Sequence, residues 1–250
     1  MQTLVSIWAW FSIAALIVIW VPIMFVVHLL DRDPARYRTG RWFRRLGAAM
    51  TRANPMWSVQ VSGYRPPNPR HPFVVVGNHQ SLADIPVFSR LPWDMKWVGK
   101  AEVFRVPVIG WMMRLSLDIP VERDNRRSRA AVMIQASKRL KENVSIMIMP
   151  EGTRSPDGRV GTFNDGAFAL AIRSGVPVLP VAMDGTIDAL PRDNWRFGSA
   201  RDIRLHVFEP VPVDGLSTSD AADLREQVRQ MIVAKIAAWR GVPPSEVDAL

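Results

Sequence analysis

Apolar and polar residues are distributed unevenly along the chain. From Met1 to Val27 no side chain carries a charge. As a helix, Leu4 to Val27 would be roughly 36 Å long, against a bilayer core of about 30 Å. The run therefore predicts a helix that inserts into or spans a membrane. Trp8, Trp10 and Trp20 suit membrane interfaces, and Pro22 predicts a kink near the helix end. A cleaved signal peptide fits less well. No Lys or Arg precedes the apolar run, the run is long, and no A-x-A site follows it. Next come Arg32, Arg36, Arg38, Arg41, Arg44, Arg45 and Arg52, with Trp42, Phe43, Leu46, Ala49 and Met50 at helical spacing among them. This pattern predicts a basic amphipathic helix lying on an anionic surface; a surface helix packed on the domain is the alternative. A positive flank predicts that the downstream domain is cytoplasmic, at the inner membrane.

The stretch Gly63 to Pro72 is rich in Pro and Gly and predicts a boundary: a membrane anchor with interfacial helix over 1–62 and a catalytic domain over 63–250. Beyond it, short apolar runs alternate with helical patterns. Strands are predicted at Phe73 to Val76, Met95 to Val98, Ile119 to Val121, Val144 to Met149 and Val176 to Ala182, with an edge strand at Ile203 to Phe208. Helices are predicted at Val106 to Leu115, from a Ser128 cap to Glu142, at Asp165 to Ser174, and from a Ser219 cap through Trp239. Strands separated by helices define an α/β class, a largely parallel sheet flanked by helices. Ligands in such sheets gather beyond the carboxyl ends of the strands.

Composition narrows the chemistry. The chain has 250 residues, enough for one sizeable domain and a short appendage. It has no cysteine, which excludes disulfides, thiolate metal sites and a cysteine nucleophile. Lys and Arg number 32 against 23 Asp and Glu, a balance that suits anionic partners. The apolar N-terminus and the absence of a nucleic-acid motif turn that choice toward membrane surfaces and phosphate-bearing substrates, away from nucleic acid. The four histidines are scattered without metal-ligand spacing, so neither metal nor cofactor is expected.

Two turns carry candidate chemistry. Asn78-His79-Gln80-Ser81-Leu82-Ala83-Asp84 follows the strand ending at Val76. There Asp84, near a helix start, can fold back on His79, fix its tautomer and leave the other ring nitrogen to take a proton. On these residues alone, a helix cap and a satisfied turn histidine remain the alternative. Pro150-Glu151-Gly152-Thr153-Arg154-Ser155 follows the strand ending at Met149. Gly152 permits a tight turn, and Arg154 offers a planar fork for a phosphate.

These blocks resemble those of the 1-acylglycerol-3-phosphate acyltransferases, within the wider glycerolipid acyltransferase superfamily. The first matches that family's His-four-residues-Asp motif and the second its acceptor and phosphate block. Gly110 with Ile119-Pro120-Val121-Glu122-Arg123, and Val176-Pro177-Val178-Leu179-Pro180-Val181, resemble two further blocks in family order. The resemblance implies transfer of an acyl group from acyl-CoA or acyl carrier protein to the free hydroxyl of a lysophospholipid. His79 would be general base, Asp84 its orienting partner, and Arg154, Arg123 and Lys100 the holders of the acceptor phosphate. Glu151, Gly152 and Thr153 would belong to the acceptor site. In one segment, Thr162 to Phe168, the family often carries lysines where Asn164 and Asp165 stand. That departure keeps a phosphate-free lyso-lipid, such as a lyso-aminolipid, open as acceptor. An inactive membrane-anchored lipid-binding protein is a third reading.

Overall fold

The structure is a computed structural model that describes residues 2–192, 194–198 and 201–250, with the backbone alone at Arg201. Helix α1 covers Gln2–Leu30 and α2 covers Tyr37–Ala53. The turn between them is closed by Asp31, whose Oδ2 accepts from the Thr39 amide and hydroxyl, both at 2.8 Å. By length and composition α1 can cross a membrane, yet both its ends are tied to the rest of the chain. Gln2 Nε2 donates to the Phe197 carbonyl at 2.9 Å, and Trp10 Nε1 to the Trp195 carbonyl at 2.7 Å. Farther along, Trp20 Nε1 donates to the Trp42 carbonyl at 2.9 Å, and Met24 is buried with Leu46 and Met112. At about 43 Å long, α1 lies along the domain. Its outer side carries Leu4, Phe11, Val18 and Phe25, an exposed apolar stripe at seven-residue spacing.

The arginine-rich helix is amphipathic as expected, and its apolar face is turned inward onto the molecule, the packed arrangement that was the alternative. The apolar residues of α2 do not lie on an external surface: Trp42, Phe43, Leu46 and Met50 pack against α1 and the segment around Met112. Arg44 is buried, with Nη2 2.6 Å from Asp118 Oδ2. Arg41 turns inward to the carbonyls of Leu91 and Trp93 at 2.9 and 3.3 Å. Only Arg38, Arg45 and Arg52, again seven apart, form an outward basic stripe on this helix.

Seven strands follow: β1 (Trp57–Gly63), β2 (Val74–Gly77), β3 (Met95–Lys100), β4 (Ile119–Val121), β5 (Ser145–Ile148), β6 (Val178–Asp184) and β7 (Arg201–Val207). They form one sheet in the order β1-β7-β6-β2-β5-β3-β4, parallel except where β6 meets β7. The helices are α3 (Asp84–Phe88), α4 (Ile109–Leu115), α5 (Arg126–Lys141), α6 (Gly166–Ser174), α7 (Thr186–Ala189), α8 (Ala221–Arg240) and α9 (Pro244–Val247). Central β2 is buried on both faces, which is why it reads as an unbroken valine run. Val74 and Val76 pack with Leu140, Phe168 and Ile232 of α5, α6 and α8. Phe73 and Val75 pack with Phe88, Trp93 and Leu179 on the other face.

Four details differ from the sequence reading. Strand β1 was not expected; it pairs with β7 in register from Trp57↔Arg201 to Gly63↔Val207, so Gly63 to Pro72 connects two strands of one sheet. Strand β7 is therefore interior and not an edge strand. Asn125, not Ser128, caps α5, accepting from the amides of Arg127 and Ser128 at 3.0 and 3.2 Å. Ser217, not Ser219, opens the last long helical segment through a capping box with Asp220.

Candidate active site

Strands β2, β5, β3 and β4 run in the same direction, so their carboxyl ends share one sheet edge. His79 leaves β2 there, through Gly77. A Cβ at Gly77 would sit 2.5 Å from the Phe88 ring, so only glycine lets α3 pack this close behind the turn. Asp84 is the first residue of α3 and is wholly buried. Its Oδ2 lies 2.6 Å from His79 Nδ1 and accepts from the amides of Gln80 and Ser81 at 2.7 and 3.0 Å. Its Oδ1 is buried without a partner among the described residues. With Nδ1 donating to a carboxylate, the neutral ring is left with an acceptor at Nε2. Nε2 makes no hydrogen bond among the described residues and is not sealed from the surface.

The second turn is stitched to the first through the backbone. Glu151 Oε1 accepts from the His79 amide at 2.8 Å and Oε2 from the Gly161 amide at 3.1 Å. The Ser155 amide donates to the His79 carbonyl at 2.8 Å. Burial pushes the Glu151 carboxyl up to about 7, against the two amide bonds and His79, which favour the charged form. Gly152 takes φ +70°, the left-handed region that favours glycine. Arg154 sits half-buried between Glu151 and Ser155, and it forms no hydrogen bond or ion pair among the described residues. Thr153 is exposed.

The other expected residues stand farther off. Lys100 ends β3, more than half exposed and 3.5 Å from Glu102. Arg123 follows β4, exposed, with no side-chain partner among the described residues. At about 4.8 Å per strand, Lys100 is roughly 10 Å from the end of β2 and Arg123 roughly 14 Å. They share the edge with His79 but do not touch it. Asp165 points away: its carboxylate pairs with Arg225 of α8 at 2.8 Å. Asn164 borders the second turn, its side-chain amide donating to the Pro150 carbonyl at 2.7 Å.

Several residues that hold this site were given no role from sequence. Asn78 locks onto the Met183 backbone through two bonds of 2.9 Å. Gln80 reaches Asp184 Oδ1 at 3.2 Å, and Asp184 pairs with Arg240 at the end of α8 at 2.6 Å. Ser81 Oγ donates to the Leu190 carbonyl at 2.6 Å. The available signal was a run of polar side chains directly after a wholly apolar strand, in a place where burial demands partners. A cavity of about 570 Å³ is lined by Phe73 and Pro177 at the opposite, amino ends of β2 and β6, away from this chemistry.

An α/β sheet that brings a His–Asp pair and an arginine without a partner among the described residues to its carboxyl edge, in a chain without cysteine, has the groups for acyl transfer or hydrolysis without a thiol nucleophile. Residues 58–184 match the acyltransferase family model, and the chain belongs to that family. Among similar proteins, the chloroplastic 1-acyl-sn-glycerol-3-phosphate acyltransferase LPAT1 of Arabidopsis thaliana is 31% identical over 76% of this chain and 54% of its own length. The chain thus spans about half the length of such curated relatives. The lyso-ornithine lipid O-acyltransferase of Pseudomonas aeruginosa is 29% identical over 91% of this chain and 88% of its own. The crystal structure of the 1-acyl-sn-glycerophosphate acyltransferase PlsC from Thermotoga maritima matches with TM-score 0.80 and 27% identity, covering 96% of this chain and 98% of that one.

Proposed function

We propose that the protein transfers a fatty acyl group from a thioester, on coenzyme A or acyl carrier protein, to the free hydroxyl of 1-acylglycerol-3-phosphate, giving phosphatidic acid. The observation that carries this reading is the 2.6 Å contact of His79 with Asp84 beside an unpaired Arg154. His79 Nε2 takes the proton of the acceptor hydroxyl as its oxygen bonds to the thioester carbonyl carbon. The carbon–sulfur bond then breaks. The leaving thiolate, whose thiol has a pKa of about 8.5, takes that proton from the imidazolium and returns His79 to its neutral form. Asp84 holds the tautomer and stabilises the charged ring. Arg154 grips the acceptor phosphate, with Lys100 and Arg123 supplying positive field along the same edge. Glu151 fixes the two turns to each other, and Gly152 lets the second one bend. No acyl-enzyme is required. The apolar stripe of α1 and the basic stripe of α2 support attachment to an anionic membrane, the inner membrane with the domain on its cytoplasmic side. The α1–α2 hairpin serves as anchor and the sheet from β1 onward as the catalytic domain; the boundary expected between residues 62 and 63 would cut through β1.

A second acceptor has specific support: the similarity to the lyso-ornithine lipid O-acyltransferase runs over nearly the whole chain, and Asn164 and Asp165 replace the family's lysines. Competition between 1-acylglycerol-3-phosphate and a lyso-ornithine lipid decides between them. The phosphate reading requires the higher kcat/KM for the first. It also requires Arg154→Lys to raise the acceptor KM by about ten-fold or more, the scale of one charged hydrogen bond. A preference for the aminolipid, with Arg154→Lys neutral, would transfer the assignment. Asp165→Lys should leave acceptor KM unchanged under either, since Asp165 engages Arg225.

A further inference from the structure

A separate cavity of about 280 Å³ lies beside the free edge of β4, and three of its walls are arginines, Arg105, Arg114 and Arg139. Arg105 and Arg114 are exposed and form no hydrogen bond or ion pair among the described residues. Arg139 is mostly buried; one Nη meets Glu142 at 2.7 Å, but its Nε is buried with no partner among the described residues. The acidic groups nearby offset only part of this charge: Glu142 pairs with Arg139 alone. Asp118 turns its carboxylate to Arg44 and to the Trp97 amide. Glu102 is exposed, 3.5 Å from Lys100, and only its electrostatic field reaches Arg105. Three guanidinium groups around one small cavity repel one another unless an anion joins them. Their planar forks match phosphate oxygens in two-point fashion.

We infer that this cavity binds the phosphates of coenzyme A, the nucleotide end of the acyl donor, while the thioester reaches His79 along the carboxyl ends of β3 and β5. The inference rests on the acyl-transfer reading. The volume is just under the roughly 300–1,000 Å³ of whole-ligand pockets, which fits a phosphate-bearing portion and not an entire cofactor. The cavity borders β4, three strand spacings or about 14 Å from β2. A phosphate anchored there and a thioester at His79 require an extended arm between them, and pantetheine is such an arm. The acceptor's phosphate, close to its own hydroxyl, cannot reach both places.

The test is a calorimetric titration of the purified full-length protein in detergent with coenzyme A as free thiol, with 3′-dephospho-coenzyme A, and with inorganic phosphate. Arg105→Ala with Arg114→Ala, both exposed and unpaired, should fold normally and bind coenzyme A at least ten-fold more weakly than wild type. Acyl-CoA KM should rise by a similar factor, with acceptor KM and kcat nearly unchanged. Arg173→Ala, which removes an exposed charge outside the cavity, should change neither. Equal coenzyme A affinity in wild type and double variant would overturn the inference. So would a double variant that loses binding to phosphatidylglycerol vesicles while retaining coenzyme A, which would give the arginines to the membrane. So would a loss seen with acyl carrier protein as donor and not with coenzyme A. The titration needs neither acceptor nor turnover. A wild type that binds coenzyme A through these arginines yet transfers no acyl group would leave this site standing and remove the function proposed above.

Discussion

At His79 the ring nitrogen nearer the backbone is committed to Asp84, and Nε2 is left to exchange protons. Asp84 is held by two amides besides the imidazole, so its geometry survives a change of charge. Asp84→Asn should therefore keep the fold while favouring the wrong tautomer. The same change in a serine-protease triad costs about 10⁴ in kcat, and a loss of that order in thiol release is expected here, with thermal stability close to wild type. A loss under ten-fold would show that Asp84 only shapes the turn. Glu151 gives a different signature. Its folded value, about 7, stands above the ordinary 4.5, so between those values the folded chain holds more protons than the unfolded one. Its contribution to stability is then full below pH 4.5 and is lost as pH rises through about 7. Glu151→Gln removes that titration, and the unfolding midpoint should depend less steeply on pH over this window. An unchanged slope would contradict the burial argument. The motif residues were legible in the sequence because type and order are themselves the signal. Their partners were not: Asp184 and Arg240 lie 104 and 160 positions from Gln80, and nothing local marks such pairs.

At the scale of elements, what the sequence disclosed depended on burial. Strand β2 announces itself because both faces are dry. Strand β1 alternates half-buried and exposed residues, so Val59 and Val61 are too sparse a signal beside the polar Ser58, Gln60 and Ser62. Strand β7 alternates as an edge strand does, and only its pairing with β1 makes it interior. Helix α2 shows the limit of reading arginine as surface. Arg44 is wedged between Asp118 and Asp94, and Asp94 in turn lies 2.5 Å from the buried Lys96. The four charges dock α2 on the start of β3. The counterions of Arg44 lie 50 and 74 positions away, and a lysine inside a strand reads from sequence as exposed. Removing one member leaves buried charge uncompensated. Arg44→Ala should lower the unfolding free energy by roughly 3–5 kcal/mol, measured by denaturant titration in detergent. A change within 1 kcal/mol, roughly the scale of an exposed ion pair, would mean that the cluster is hydrated.

Over the whole molecule, the helical hairpin and the sheet form one body. Tied near both ends, α1 presents Leu4, Phe11, Val18 and Phe25 outward along its length, while the His79 edge of the sheet carries Leu82 and Ile85, themselves exposed beside the site. In the proposed reaction, Leu82 and Ile85 would offer the acceptor's chain apolar surroundings beside Nε2. The central claim is that this His–Asp pair drives acyl transfer, and it is tested most directly by thiol release from acyl-CoA with 1-acylglycerol-3-phosphate. The assay compares purified wild type with His79→Ala of matching unfolding midpoint. The expected result is acceptor-dependent release by wild type and none above background by the variant. Near-normal release by folded His79→Ala protein would contradict the account.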